Sequence, residues 1–327
     1  MKSTNRVQLT FLAVVLFATS AIACQVPVFR YALERWNADK YEVIILHDAE
    51  LSEPVRTLLD KLQAPELLAA SNFEVQLMHV DKLREPRLKE LWGKRTDTNS
   101  PLMVVLYPRT AAEVPDRVVA VEAFSEVNVD RLVRSPVREE VAKRLISGQS
   151  AVWVFIPSDD EAASTAALKR LNDRIAINMS RLAVPTAEEL EIEPTVLAKN
   201  KIPLRIEFSV VTLDRKDTRE SFLLNALMKS EPDLDPSKPI AFPIFGRGRV
   251  LYALVGDGIM AETTDTACQF MSGPCSCQVK NQNPGFDLLI TSEWDKAVAG
   301  SMISSALPDE SAEPRLLSIP PGRRAKP

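Results

Sequence analysis

The sequence predicts an exported α/β protein in which one strand-and-helix plan runs twice, each copy a mixed sheet flanked by helices. Three observations point there. The chain opens on an export leader, apolar runs of strand length alternate with runs of helical spacing in an order that restarts near residue 150, and three of the four cysteines crowd into residues 268–277.

In the leader, Lys2 and Arg6 form a positive start, residues 9–18 an apolar run too short to span a bilayer, and Ala21-Ile22-Ala23 the small residues of a cleavage site. A signal peptide over 1–23 is expected, and no later run reaches membrane length. A small residue ahead of Cys24 resembles a bacterial lipoprotein box, which implies an acylated Cys24 as the mature N-terminus. That box usually carries Leu where this chain has Ala21, and usually a polar tether follows. Here Val26, Val28, Phe29, Leu33 and Trp36 take helical spacing at once, with Pro27 suited to a first turn. Ordinary cleavage gives a periplasmic or extracellular protein, lipidation an anchored one, and only lipidation brings a membrane partner.

With 327 residues, 46% of them hydrophobic, the chain can bury a core of two-domain size. Its net charge is −4, there is no long basic run, and nucleic acid is excluded as a partner.

The first copy, 24–148, begins with a buried-type strand at 41–47 (YEVIILH), then a helical face of Val55, Leu58, Leu59 and Leu62 behind Ser52 as cap. A strand at 73–79 (FEVQLMH), a helix at 83–94, strands at 102–107 and 117–124, and a closing helix over 129–146 broken at Pro136 complete it. The second copy, 149–300, repeats the order with a strand at 151–156, a helix capped by Asp159 or Asp160, and an insertion over 180–201. A strand at 204–210, a helix at 222–228, strands at 240–245 and 250–255 across Gly246-Arg247-Gly248, and a last helix from Ile259 follow. Residues 301–327 read as a disordered tail.

This succession, with Pro101 and Pro239 ahead of the third strands, resembles the thioredoxin fold, whose corresponding proline is usually cis. The resemblance implies two thioredoxin-like domains in tandem. It places a catalytic Cys-x-x-Cys just after the first strand, but here those positions read HDAELSEP (47–54) and PSDDEA (157–162). The segments CQVPVFRYALERW (24–36) and CSCQVK (275–280) are also similar to those of predicted exported bacterial proteins of unassigned function.

The candidate sites are few. In an oxidising compartment Cys24, Cys268, Cys275 and Cys277 form two disulfides by default. A Cys275–Cys277 ring is strained, so the plausible frameworks send one of that pair to Cys24 and the other to Cys268. A bond from Cys24 to the far end closes a loop of about 250 residues, for on the order of 4 to 5 kcal/mol. Two alternatives stay open. The four thiolates could hold zinc or another soft metal, or Cys275 and Cys277 could exchange disulfides with partners.

His47 and His79 each end a strand beside an acid and, on parallel neighbours, emerge at one sheet edge. They are a metal or small-molecule candidate against ordinary strand-end residues. Arg247 and Arg249 either grip an anion or sit on a solvated turn, and Gly256-Asp257-Gly258 is an anion hint or a plain turn. The expectation is a non-enzymatic binding or scaffold protein of the cell envelope, without cofactor, whose partner is an unidentified envelope protein or small molecule. The alternatives are a thiol-disulfide oxidoreductase and a metal-binding protein.

Overall fold

The computed structural model describes residues 25–274 and 280–304. Its first sheet holds β1 (Tyr41–His47), β2 (Phe73–His79), β3 (Leu102–Leu106) and β4 (Val118–Ala123) in the order β2-β1-β3-β4. β1 runs parallel to β2 and antiparallel to β3, which is antiparallel to β4. Six of the seven β1 residues are buried because both sheet faces are covered, as its unbroken apolar run requires. Val43 and Ile45 share a core with Leu59 and Leu62 of α2 (Glu53–Leu62). Ile44 and Leu46 meet Leu88 of α4 (Pro86–Gly93) on the other face. A short α3 (Pro65–Ala70), unforeseen in the sequence, leads into β2, and α5 (Glu126–Val133) and α6 (Pro136–Ile146) close the unit. Pro136 opens α6 behind Ser135, whose hydroxyl accepts the Arg138 N–H at 3.0 Å; this is the expected break, with its cap.

The second sheet repeats the topology with β5 (Ala151–Ile156), β6 (Phe208–Thr212), β7 (Ile240–Phe245), β8 (Arg249–Val250), β9 (Leu254–Val255) and β10 (Phe286–Asp287). β5 is parallel to β6 and antiparallel to β7, and β8 and β9 both pair with β7. The helices are α7 (Glu161–Arg181), α8 (Pro194–Ala198), α9 (Ser221–Met228), α10 (Ala261–Ser272) and α11 (Trp294–Val298). Asp160 caps α7 by accepting the Ala163 N–H at 2.9 Å. The strand expected over 204–210 starts only at Phe208 and runs on to Thr212, and the one expected over 250–255 is split in two. The Ala253 amide at that split bonds the Glu231 carboxylate at 2.9 Å instead of a strand. No cis peptide occurs among the described residues, so the bonds before Pro101 and Pro239 are trans, unlike the family's usual proline.

Two arrangements depart from the linear division of the chain. α1 (Val28–Arg35) precedes the first sheet but packs on the second, where Phe29, Ala32 and Trp36 join Trp153, Phe155 and Phe245. Buried Arg30 bonds Glu34 at 2.5 Å and the Ile202 carbonyl at 2.9 Å, and Glu34 accepts the amides of Ile303 and Ser304 at 2.9 and 2.8 Å. Ser301, Ile303 and Ser304, the start of the expected tail, are therefore buried and held.

The units also share one core. Tyr41 and Tyr107 of the first sheet meet Phe222 and Phe286 of the second unit. The Tyr107 hydroxyl donates to the Ala226 carbonyl at 2.6 Å, and that of Tyr41 to Asp287 at 2.8 Å. Burial pushes the pKa of the Tyr41 hydroxyl well up.

Candidate functional site

β1 ends at His47, a loop follows, and α2 starts after Ser52; this is where the thioredoxin resemblance places a dithiol. Ser52 sits at the N-cap with extended backbone, but its hydroxyl makes no capping bond. A cavity of about 130 Å³ opens there, lined by His47, Asp48, Ser52, Val55, Ser100 and Pro101. No cysteine is among its described lining residues. The equivalent turn of the second unit is closed by its own hydroxyls, with Ser158 N–H donating to Ser164 Oγ at 2.9 Å.

The parallel register sets His47 directly beside His79, with ring centroids 5.1 Å apart and planes at 89°. His47 Nδ1 faces the Ala49 carbonyl at 2.8 Å, an acceptor only, so Nδ1 carries a proton. His79 Nε2–H donates to the Asp48 carbonyl at 3.1 Å, and its Nδ1 lies 3.3 Å from the Asp81 amide and 3.4 Å from the Asp81 carboxylate. Asp48 is in turn paired with Arg95 at 3.3 Å. These contacts tie both imidazoles to the two loops that follow β1 and β2. Among the described residues no three His, Cys, Asp or Glu side chains converge as a metal site.

Of the cysteines, Cys268 alone lies in the described residues. It is fully buried in α10, in one core with Ala267 and Met271, and has no disulfide partner among the described residues. Burial, and then the neighbouring Asp265 carboxylate, push its pKa far up, which favours the neutral thiol over the thiolate in this core. Cys24, Cys275 and Cys277 lie outside the described residues, but the chain on either side of them is placed. Pro27 and Pro274 form an antiparallel bridge, and the Val28 amide donates to the Gly273 carbonyl at 2.9 Å.

Arg247 and Arg249 serve neither reading made from the sequence, because both are buried. Arg247 caps the end of α1, donating to the carbonyls of Leu33 and Glu34 at 2.9 and 3.3 Å. Arg249 pairs with buried Asp287 at 3.2 Å. Asp287 also binds Lys280, which reaches Asp39 at 2.8 Å. Sequence reading misses this cluster because residues 39, 249, 280 and 287 share no spacing. Glycines at the turn are steric needs: Gly246 has φ +59° and a Cβ there would lie 2.6 Å from Ala32 Cβ.

The chain matches no known family model and no curated protein.

Proposed function

We propose that this chain is an exported cell-envelope protein of two thioredoxin-like units that have no dithiol, acting as a rigid binding or scaffold protein. The observation that carries the reading is the first-helix start of each unit, where His47 to Ser52 and Pro157 to Asp160 stand in place of a Cys-x-x-Cys. The strand order of both sheets agrees with that fold. Rigidity follows from the shared core and from α1, which ties the start of the chain to the second unit.

In this reading the remaining cysteines act as a staple. Cys24 lies three residues before Pro27 and Cys277 three residues after Pro274, so a bond between them spans a gap that the Pro27–Pro274 bridge has already closed. Each three-residue arm reaches at most about 10 Å, enough to meet.

The test is insulin reduction by protein recovered from the envelope. Alongside it, an intact mass is taken after alkylation without reduction, with metal content read on the same sample. The reading expects no reduction above the reductant blank, one disulfide, no bound ion, and a fall in stability for Cys277→Ser. If Cys277→Ser stays fully stable while abolishing a measurable thiol exchange, the oxidoreductase reading replaces it. One equivalent of zinc released with four free thiols would establish the metal-binding one.

A further inference from the structure

Sheet edges expose unpaired backbone groups, and folded proteins cover, shorten or guard them. Three of the four edges here are managed. On β4 the Lys229 ammonium donates to the Val119 carbonyl at 2.7 Å. On β6 the Arg144 guanidinium donates to the Val210 carbonyl at 3.1 Å, and the β10 edge is two residues long.

The fourth, β2, has seven residues. The Tyr41 amide bonds the Asn72 carbonyl, so with the parallel register Asn72, Glu74, Gln76 and Met78 turn their N–H and C=O groups toward β1. Phe73, Val75, Leu77 and His79 turn theirs outward. The last strand-like contact on this side is the bridge from Ser71 to Thr291. Beyond it, among the described residues, nothing bonds the outward groups of Val75 or Leu77. The strand carries no Pro and no Lys. Leu77 is 43% exposed, and of the large apolar side chains left exposed it is the one in a strand.

We infer that β2 pairs antiparallel with β2 of a second copy, joining two four-stranded sheets across a two-fold axis. The occupant is a second copy because the strand is self-complementary. With the axis at Gln76 the whole of 73–79 overlaps itself, and Val75 of each copy meets Leu77 of the other as a hydrogen-bonded pair with apolar side chains on one face. Glu74 falls opposite Met78. The two Glu74 carboxylates stand four positions apart along the ladder, about 13 Å, beyond the Debye length at physiological salt. The strand ends as this register ends, since residues 80–82 turn into a 3-10 helix. Pairing of this kind is isologous and closes at two chains. It does not depend on the scaffold reading or on the cysteines.

The test is sedimentation equilibrium of the purified protein over a dilution series, with hydrogen exchange read at Val75 and Leu77. The mass should be that of two chains at the top of the series, with these two amides exchanging more slowly there than after dilution. Leu77→Pro removes an outward N–H that no bond within the chain uses, and Leu77→Lys adds an edge charge; both should give one-chain mass. Should Leu77→Pro fail to fold, Leu77→Lys decides. A one-chain mass for the unsubstituted protein throughout, or a two-chain mass kept by Leu77→Lys, would overturn the inference.

Discussion

The amide of Val28 donates to the carbonyl of Gly273 at 2.9 Å, so α1 is pinned to the end of α10, the last long helix of the second unit. Residues 245 apart in the chain are thereby neighbours, and the first sheet lies in the loop between them. This contact makes the proposed Cys24–Cys277 bond a lock on an existing seam. A lock acts mainly on the unfolded chain, for about 4 to 5 kcal/mol with a loop of this length. Cys24→Ser, Cys277→Ser and the double variant should therefore lose the same stability in urea, with no additivity between them. Additive losses would show that the two residues do not bond each other.

Cys268 should resist maleimide in the folded protein and accept it in urea without reductant, because its thiol is buried and has no disulfide partner among the described residues. Peptide masses read both states. Modification in the folded state would contradict the burial, and none in urea would mean that Cys268 is in a disulfide.

The buried Arg30–Glu34 pair links three parts of the chain: α1, the 200–202 loop and the segment 301–304. Glu34→Ala leaves a buried guanidinium without its counter-charge and two amides without their acceptor, and should cost about 3 to 5 kcal/mol by chemical denaturation. A loss under 1 kcal/mol, roughly the worth of a surface pair, would show that water reaches the site.

Gly246→Ala should destabilise by more than about 1 kcal/mol, since φ is +59° and the new methyl meets the rigid Ala32 Cβ at 2.6 Å. Gly93→Ala, with nothing within 4 Å in the last turn of α4, should stabilise by a few tenths up to about 1 kcal/mol. Thermal melts of the pair check both signs.

Asp265 is held below the usual carboxylate range, first by the Arg174 guanidinium and then by Asn178. A carboxylate whose folded pKa is depressed contributes stability above its unfolded pKa, near 4, and loses it as pH falls through the folded value. Asp265→Asn should thus cost about 1 kcal/mol at neutral pH and flatten the stability profile below pH ~4. An unchanged acid limb in urea titrations at pH 2 to 5 would remove Asp265 from it.

Local pattern alone determined the α/β class, the repeated order of elements, the break at Pro136, a helix cap at Asp159 or Asp160 and, on parallel neighbouring strands, the adjacency of His47 and His79. Each of these depends on residues a few positions apart, or on a strand period that reads directly from apolar alternation. Tertiary structure decided that α1 belongs to the second unit, that Arg247 and Arg249 are buried braces, that Ser301 to Ser304 are held, and that β2 keeps an open edge. Those outcomes come from contacts between residues tens to hundreds of positions apart. Such contacts are set by which surfaces meet once the two sheets close on one core, and no spacing within the chain encodes them.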